Sequence, residues 1–138
     1  MDENSLRSLA NRFFDALECR DVGEIEKLYA ADMRFWFNVT KNEVSKEENL
    51  AAIAQGYARH RRRTYNDRII HTFEGGFLMQ YTLNIVQHTG ETLTLWAALV
   101  AQCRNGQITR IDEYLDSGKF TGQSGNRQTS GTSAQEPH

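Results

Sequence analysis

The spacing of hydrophobic positions changes along the chain, from three and four residues in the first half to two in the second. Leu6, Leu9, Ala10, Phe13, Phe14 and Leu17 recur at helical spacing and predict an amphipathic helix with its stripe turned to a core. Asp21-Val22-Gly23-Glu24 offers a cap with Glu three residues on, and predicts a short helix through Ile25, Leu28 and Tyr29. Met33 to Val39 predicts an aromatic strand containing Phe35, Trp36 and Phe37. Ser45-Lys46-Glu47-Glu48 is a second capping box, opening a helix through Leu50, Ile53, Ala54 and Tyr57.

From Tyr65 onward the period is that of strands. Tyr65 to Phe73 runs into the turn signal Gly75-Gly76. In Phe77 to Gln87, Met79, Tyr81, Leu83 and Ile85 alternate with Gln80, Thr82 and Asn84. After a turn at His88-Thr89-Gly90-Glu91, Thr92 to Arg104 places Leu93, Leu95, Ala97, Leu99, Ala101 and Cys103 on one face. Asn105-Gly106 is a strong hairpin signal leading into a closing strand. Helices followed by an antiparallel meander predict an α+β domain with helices packed on one face of a curved sheet. Thr121 to His138 is rich in Gly, Ser, Thr and Gln, with Ala134 its only hydrophobic residue and Pro137 the chain's only proline. Such a segment cannot bury enough apolar surface to offset ordering, so the chain divides into one folded domain, residues 1–120, and a disordered polar tail, residues 121–138.

The closing strand carries the strongest chemical signal. With a period of two, Thr109, Ile111, Glu113 and Leu115 share one face, and Arg110, Asp112, Tyr114 and Asp116 the other. Glu113 thus falls between two apolar residues on the face that should be buried. An unpaired carboxylate costs several kcal/mol to bury, so it pairs, lines a cavity or takes up a proton. In a dry pocket its pKa rises toward neutrality, which suits general acid/base work.

Composition narrows the partners. The chain has 138 residues, 39% hydrophobic and 25% charged, with a net charge of −2, and gives no case for nucleic acid or an anionic membrane. Cys19 and Cys103 are isolated, which favours a reducing, cytoplasmic setting. Met1-Asp2-Glu3-Asn4 shows no signal peptide, and no run of about eighteen apolar residues predicts a membrane span. The histidines and acids lack metal-ligand spacing, and no metal or other cofactor is expected. Arg59-His60-Arg61-Arg62-Arg63 follows a helix end, where cations meet the negative end of the dipole; it could also hold an anionic substrate tail at a pocket rim.

Three patterns, set in this element order, resemble the nuclear transport factor 2-like superfamily and its SnoaL-like branch. They are Trp36-Phe37-Asn38, Asn105-Gly106-Gln107-Ile108-Thr109, and Asp112-Glu113-Tyr114-Leu115-Asp116. The resemblance spans Leu6 to Phe120. It implies a cone, a bent antiparallel sheet wrapped around N-terminal helices, with a deep pocket at the open end and a homodimer through the outer sheet face. Polyketide cyclases, ketosteroid isomerases and limonene epoxide hydrolases are among its members. Trp36 and Asn38 match the aromatic-x-Asn pair that holds water in the epoxide hydrolases, with Trp replacing Tyr. The arginine and aspartate of that relay fall at Met79 and Tyr81, so the relay is incomplete. The ketosteroid isomerase base falls near Phe37, where there is no carboxylate.

The candidate catalytic residues are therefore Glu113, Tyr81, Asn38 and His71, and the candidate substrate-binding residues Trp36, Tyr57, Met79 and Leu83. Each has a plainer reading beside it. Glu113 could pair with a buried polar group, Asn38 could end its strand, and Trp36 could be core. Tyr81 could stabilise an oxyanion or sit packed with one hydrogen bond. His71, in the alternation Ile69, His71, Phe73, could be a satisfied core residue. The leading functional expectation is a cofactor-independent enzyme moving a proton beside a carbonyl of a small, mostly apolar molecule: an isomerase, cyclase or dehydratase. Water addition to an epoxide, and a non-catalytic ligand-binding or association module, are the alternatives.

Overall fold

The computed structural model of the protein describes residues 1–116. The tail expected at 121–138 lies outside the described residues. Helix α1 (Glu3–Cys19) starts at Asp2, whose side chain accepts from the Ser5 amide at 2.7 Å, and ends at Arg20, which turns left-handed with φ 60°. Its whole predicted stripe is buried. Helix α2 (Val22–Leu28) is capped by Asp21, which accepts from the Glu24 amide at 3.1 Å. Helix α3 (Lys46–Arg59) opens on a complete capping box, Ser45 and Glu48 each bonding the other's backbone N–H.

The strands are β1 (Tyr29–Phe37), β2 (Asn42–Ser45), β3 (His60–Phe73), β4 (Gly76–Gln87), β5 (Thr92–Arg104) and β6 (Gln107–Leu115). They form one curved, unclosed sheet in the order β2-β1-β6-β5-β4-β3. The run β3 to β6 is the antiparallel meander that the period of two predicts. Asn105 and Gly106 both take positive φ, 53° and 81°, as a tight two-residue hairpin turn needs. Three features have no local signature. Tyr29 opens β1 instead of closing α2, β3 begins at His60 and absorbs the basic run, and β1 pairs β6 in parallel. A parallel partner far along the chain is chosen by the whole sheet, not by a turn.

Two bulges decide which residues face inward. Between Asn66 and Ile69 the β3–β4 register shifts, with Asp67 at φ 56°. Arg68 secures this bend, donating from Nε to the Tyr65 carbonyl at 2.9 Å and bridging Asp15 and Glu18, while Glu18 accepts from the Tyr65 amide at 2.6 Å. The extra residue inverts the alternation beyond it, so Ile70 packs on the core while Ile69, His71 and Phe73 are exposed. In the β5–β6 pair the register passes from Gln102↔Arg110 to Cys103↔Ile108, leaving Thr109 as the extra residue. Ile108 and Ile111 are both fully buried as a result, and Ile111, Glu113 and Leu115 keep the inward phase.

Helix α1 packs on the concave face, chiefly against β3 and β4. Phe14, with no exposed surface, lies edge-on to Phe13, Tyr65 and Tyr81 at ring-centroid distances of 5.5, 5.4 and 4.9 Å. Because Phe14 sits under both tyrosines, Phe14→Ala is expected to cost about 3–5 kcal/mol in urea denaturation.

Candidate active site

Beyond the α1 stripe the concave face leaves a cavity of about 180 Å³. Phe13 and Leu17 of α1 and Phe35 and Phe37 of β1 form part of its wall, with Leu83, Ile85, Leu95 and Leu99 from β4 and β5. Ala52 and Ile53 of α3 cover it, and Leu115 lies beside Glu113. The polar groups reaching this apolar space are Glu113, Tyr65, Arg63, Asn49 and Tyr29.

Glu113 is held by one protein hydrogen bond. Tyr81 Oη donates to its Oε2 at 2.5 Å, and its other carboxyl oxygen has no donor among the described residues. Tyr81 stands on β4 opposite Ala97 of β5, and Ala97 in turn opposes Leu115 on β6. A small residue between them lets the phenol reach across a strand to the carboxyl. The surface that Glu113 still exposes is that of the cavity. Desolvation there raises its pKa above the ordinary 4.5, opposed by the Tyr81 hydrogen bond and by the positive charge of Arg63. Burial, followed by the Glu113 charge, pushes Tyr81 well above the usual phenol value, so it stays a donor.

Tyr65 is buried with its ring 5.6 Å from that of Tyr81, and burial raises its pKa against the opposing charge of Arg63. Tyr29 is raised well above the ordinary value, by burial first and then by Glu113, and donates to Asn49 Oδ1 at 2.6 Å. Arg63 lines the cavity from β3, its Nη2 3.4 Å from His60 Nδ1. Burial and then the Arg63 charge push His60 down to about 4, which keeps that imidazole neutral and able to accept.

The other expected site residues go elsewhere. Leu83 lines the cavity as expected; Met79 is fully buried in the core and is not part of the wall. Tyr57 donates to the Leu17 carbonyl at 3.1 Å with the Arg20 guanidinium 5.3 Å over its ring, also away from the wall. Trp36 is turned outward: Phe37 aligns with Glu113 and Trp36 with Asp112, so Phe35 and Phe37 share the carboxyl's face while Trp36 packs 5.3 Å from the Tyr114 ring. Asn38 spends both halves of its amide on Leu115, donating to the carbonyl at 3.0 Å and accepting from the amide at 2.9 Å, while its own backbone N–H bonds the Glu113 carbonyl at 3.0 Å. It extends the β1–β6 ladder and fixes the backbone that carries Glu113. His71 is exposed beside Gln80, Nε2 to Oε1 at 3.2 Å, because the Asp67 bulge reverses its facing.

Arg63, Tyr65, Asn49 and Tyr29 were not singled out from the sequence as site residues. Tyr65 had a usable signal, since it opens the predicted strand in phase with the apolar face. Arg63 was hidden among three neighbouring arginines and a histidine. Among the described residues no three His, Cys, Asp or Glu side chains are grouped to hold a metal ion. Burial pushes the Cys103 thiol up to about 11, which leaves it protonated and unreactive.

A bent, mostly antiparallel sheet over N-terminal helices, with a carboxyl and phenols inside it, defines a class of small α+β cone domains. A family model described as SnoaL-like domain matches residues 10–111, and the chain belongs to that family, within the nuclear transport factor 2-like superfamily. Among solved structures, a candidate polyketide cyclase from Xanthomonas campestris pv. campestris superposes with a TM-score of 0.78 at 19% identity, covering 88% of this chain and 98% of that one. AclR from Streptomyces galilaeus, a candidate hydroxylase, gives 0.80 at 14% identity over 94% and 87%. A protein of ketosteroid isomerase-like fold from Catenulispora acidiphila, in complex with trimethylamine, gives 0.72 at 12% over 82% and 89%. These likenesses show the fold. No curated protein matches this chain.

Two outcomes follow from the carboxyl's surroundings. Tyr81→Phe removes a bond that favours the charged form, so the Glu113 pKa is expected to rise further, read by carboxyl-carbon NMR titration with Glu113→Gln assigning the resonance. A carboxyl with a raised folded-state pKa costs stability as pH climbs from about 4.5 through that value. Glu113→Gln is therefore expected to gain in urea midpoint over the wild type across that window, and to show no such gain below it.

Proposed function

We propose that the protein is an enzyme that moves a proton beside a carbonyl of a small, mostly apolar molecule. One observation carries this reading: a desolvated carboxyl with one oxygen on Tyr81 and the other without a donor among the described residues, in an apolar cavity. Glu113 takes a proton from the carbon next to the carbonyl, and the electron pair moves onto the carbonyl oxygen as an enolate. Returning that proton at another carbon gives isomerisation. Attack of the enolate on a second carbonyl gives cyclisation, and loss of a leaving hydroxyl gives dehydration. A general base placed this way contributes about 10²–10⁴-fold.

The residues divide by what they reach. Glu113 is the proton carrier. Tyr81 positions it, its own hydrogen being engaged, so the Tyr65 phenol is the donor we assign to the enolate oxygen. Asn38 acts through the β6 backbone, and His71 takes no part. Water addition to an epoxide has less support, because the Asn38 amide is committed to Leu115 and Met79 lies in the core. The chemistry needs no cofactor in this reading.

The outer sheet face supports self-association. Trp96 is 61% exposed and Tyr114 46%, the latter in tilted contact with Trp36, and aromatic side chains are enriched at the cores of interfaces. A homodimer through this face is expected by light scattering, and Trp96→Glu is expected to shift it to monomer. No helix of the described residues is long and apolar enough to cross a membrane. The free Cys19 and Cys103 support a reducing, cytoplasmic setting.

The test is solvent exchange. In D₂O, single-ring ketones and 1,3-diketones are expected to take up deuterium beside the carbonyl with the wild-type protein. Glu113→Gln should slow this about 10²–10⁴-fold with folding intact by circular dichroism, and Tyr65→Phe should slow it less. Exchange unchanged in Glu113→Gln overturns the assignment. Ligand binding without exchange favours a binding module.

A further inference from the structure

We infer that the cavity takes a carboxylate-bearing single-ring molecule, with the ligand's carboxylate seated on Arg63 and its carbonyl end beside Glu113. The orientation rests on the proton-transfer reading above; the carboxylate seat does not.

Arg63 is a cation with no ion-pair partner among the described residues. Eight ion pairs join carboxylates to arginines among the described residues, and none includes Arg63, so no carboxylate lies within 4.0 Å of it. Its Nε is also the only buried side-chain nitrogen or oxygen among the described residues that lacks a hydrogen-bond partner. A buried polar atom left unpaired is costly, and native structures rarely carry one without a reason. The guanidinium nonetheless forms part of the wall of a largely apolar space. Its charge opposes the rise in the Glu113, Tyr81 and Tyr65 pKa values, and acts at hydrogen-bonding range only on the Tyr65 phenol.

The surroundings hold the side chain in place. His60 Nδ1 meets Nη2 at 3.4 Å, and Gly56 of α3 is bare where a methyl group would come 3.2 Å from the same nitrogen. In turn the His60 and Tyr57 carbonyls each accept from Arg20, at 2.8 and 3.0 Å, tying the start of β3 to α1. Nε is closed off from the cavity, so a ligand carboxylate would meet the terminal Nη edge of the guanidinium, whose N–H donors match its two oxygens.

Size sets the rest of the molecule. An engineered apolar cavity of about 150 Å³ takes benzene, so a cavity of about 180 Å³ takes one ring and its substituents. Phe35, Phe37, Leu83 and Leu95 supply apolar walls for that ring.

Benzoate and benzamide make the probe, since they share shape and differ in charge. Binding is read by amide-shift NMR titration at constant ionic strength. Benzoate is expected to bind about ten- to a hundredfold tighter than benzamide, with shifts at Arg63, Tyr65 and Phe37. Arg63→Met should abolish that preference, and Arg63→Lys should keep part of it and guard against a folding failure. Glu113→Gln, which removes a like charge from the cavity, should retain or tighten benzoate while abolishing deuterium exchange. Loss of exchange with benzoate binding intact thus bears on Glu113 alone. A wild type that does not bind benzoate saturably, or a preference that survives Arg63→Met, overturns the inference.

Discussion

Everything in this molecule is arranged around the fit of one helix into a bent sheet. The stripe Leu6, Leu9, Ala10, Phe13, Phe14 and Leu17 is buried along its length, and Phe14 meets both tyrosines that rise from β3 and β4. The stripe packs on β3 and β4, and the sheet continues past it into β5 and β6. The space left over is the cavity. Phe13 and Leu17 are thus core on one side and cavity wall on the other. The same hydrophobic burial that stabilises the fold makes the water-poor site in which a carboxyl is displaced from its usual pKa.

Glu113 illustrates the balance between cost and use. Desolvation alone would favour its neutral form, and a strong ion pair would hold it charged and inert. The chain does neither. A neutral phenol occupies one oxygen, and the nearest cation acts through space without touching it. A carboxyl balanced in this way can exchange a proton with something entering the cavity. Asn38 serves the same end from behind, pinning the backbone from Glu113 to Leu115 by three hydrogen bonds, so the carboxyl is carried on rigid strand and not on a loop.

Much of the fold was legible because the relevant forces are local. Helical and strand periods, two capping motifs and the Asn-Gly hairpin located eight of the nine elements, and missed only the four-residue β2. The site was read less completely. Tyr81 and Leu83 lie on β4, whose alternation runs unbroken, and Glu113 lies on β6 past the Thr109 bulge, so for all three the period of two gave the right facing. His71 lies beyond the Asp67 bulge, where one extra residue reverses every later side chain. Trp36 and Asn38 were preferred for their likeness to a family motif, although the same alternation puts Phe35 and Phe37 on the opposite face. Arg63 looked like one cation among several.

Local patterns suffice for the elements, the α+β class and a carboxylate on an inward strand face, because each follows from residues within a turn or two of one another. What that carboxylate meets is set by contacts between distant parts of the chain. The parallel pairing of β1 with β6 brings Phe37 level with Glu113, the bulge in β3 sends His71 outward, and the bend of the sheet carries Tyr81 and Arg63 toward a strand not their neighbour. Those placements depend on register and curvature summed over the whole sheet, and no local pattern encodes them.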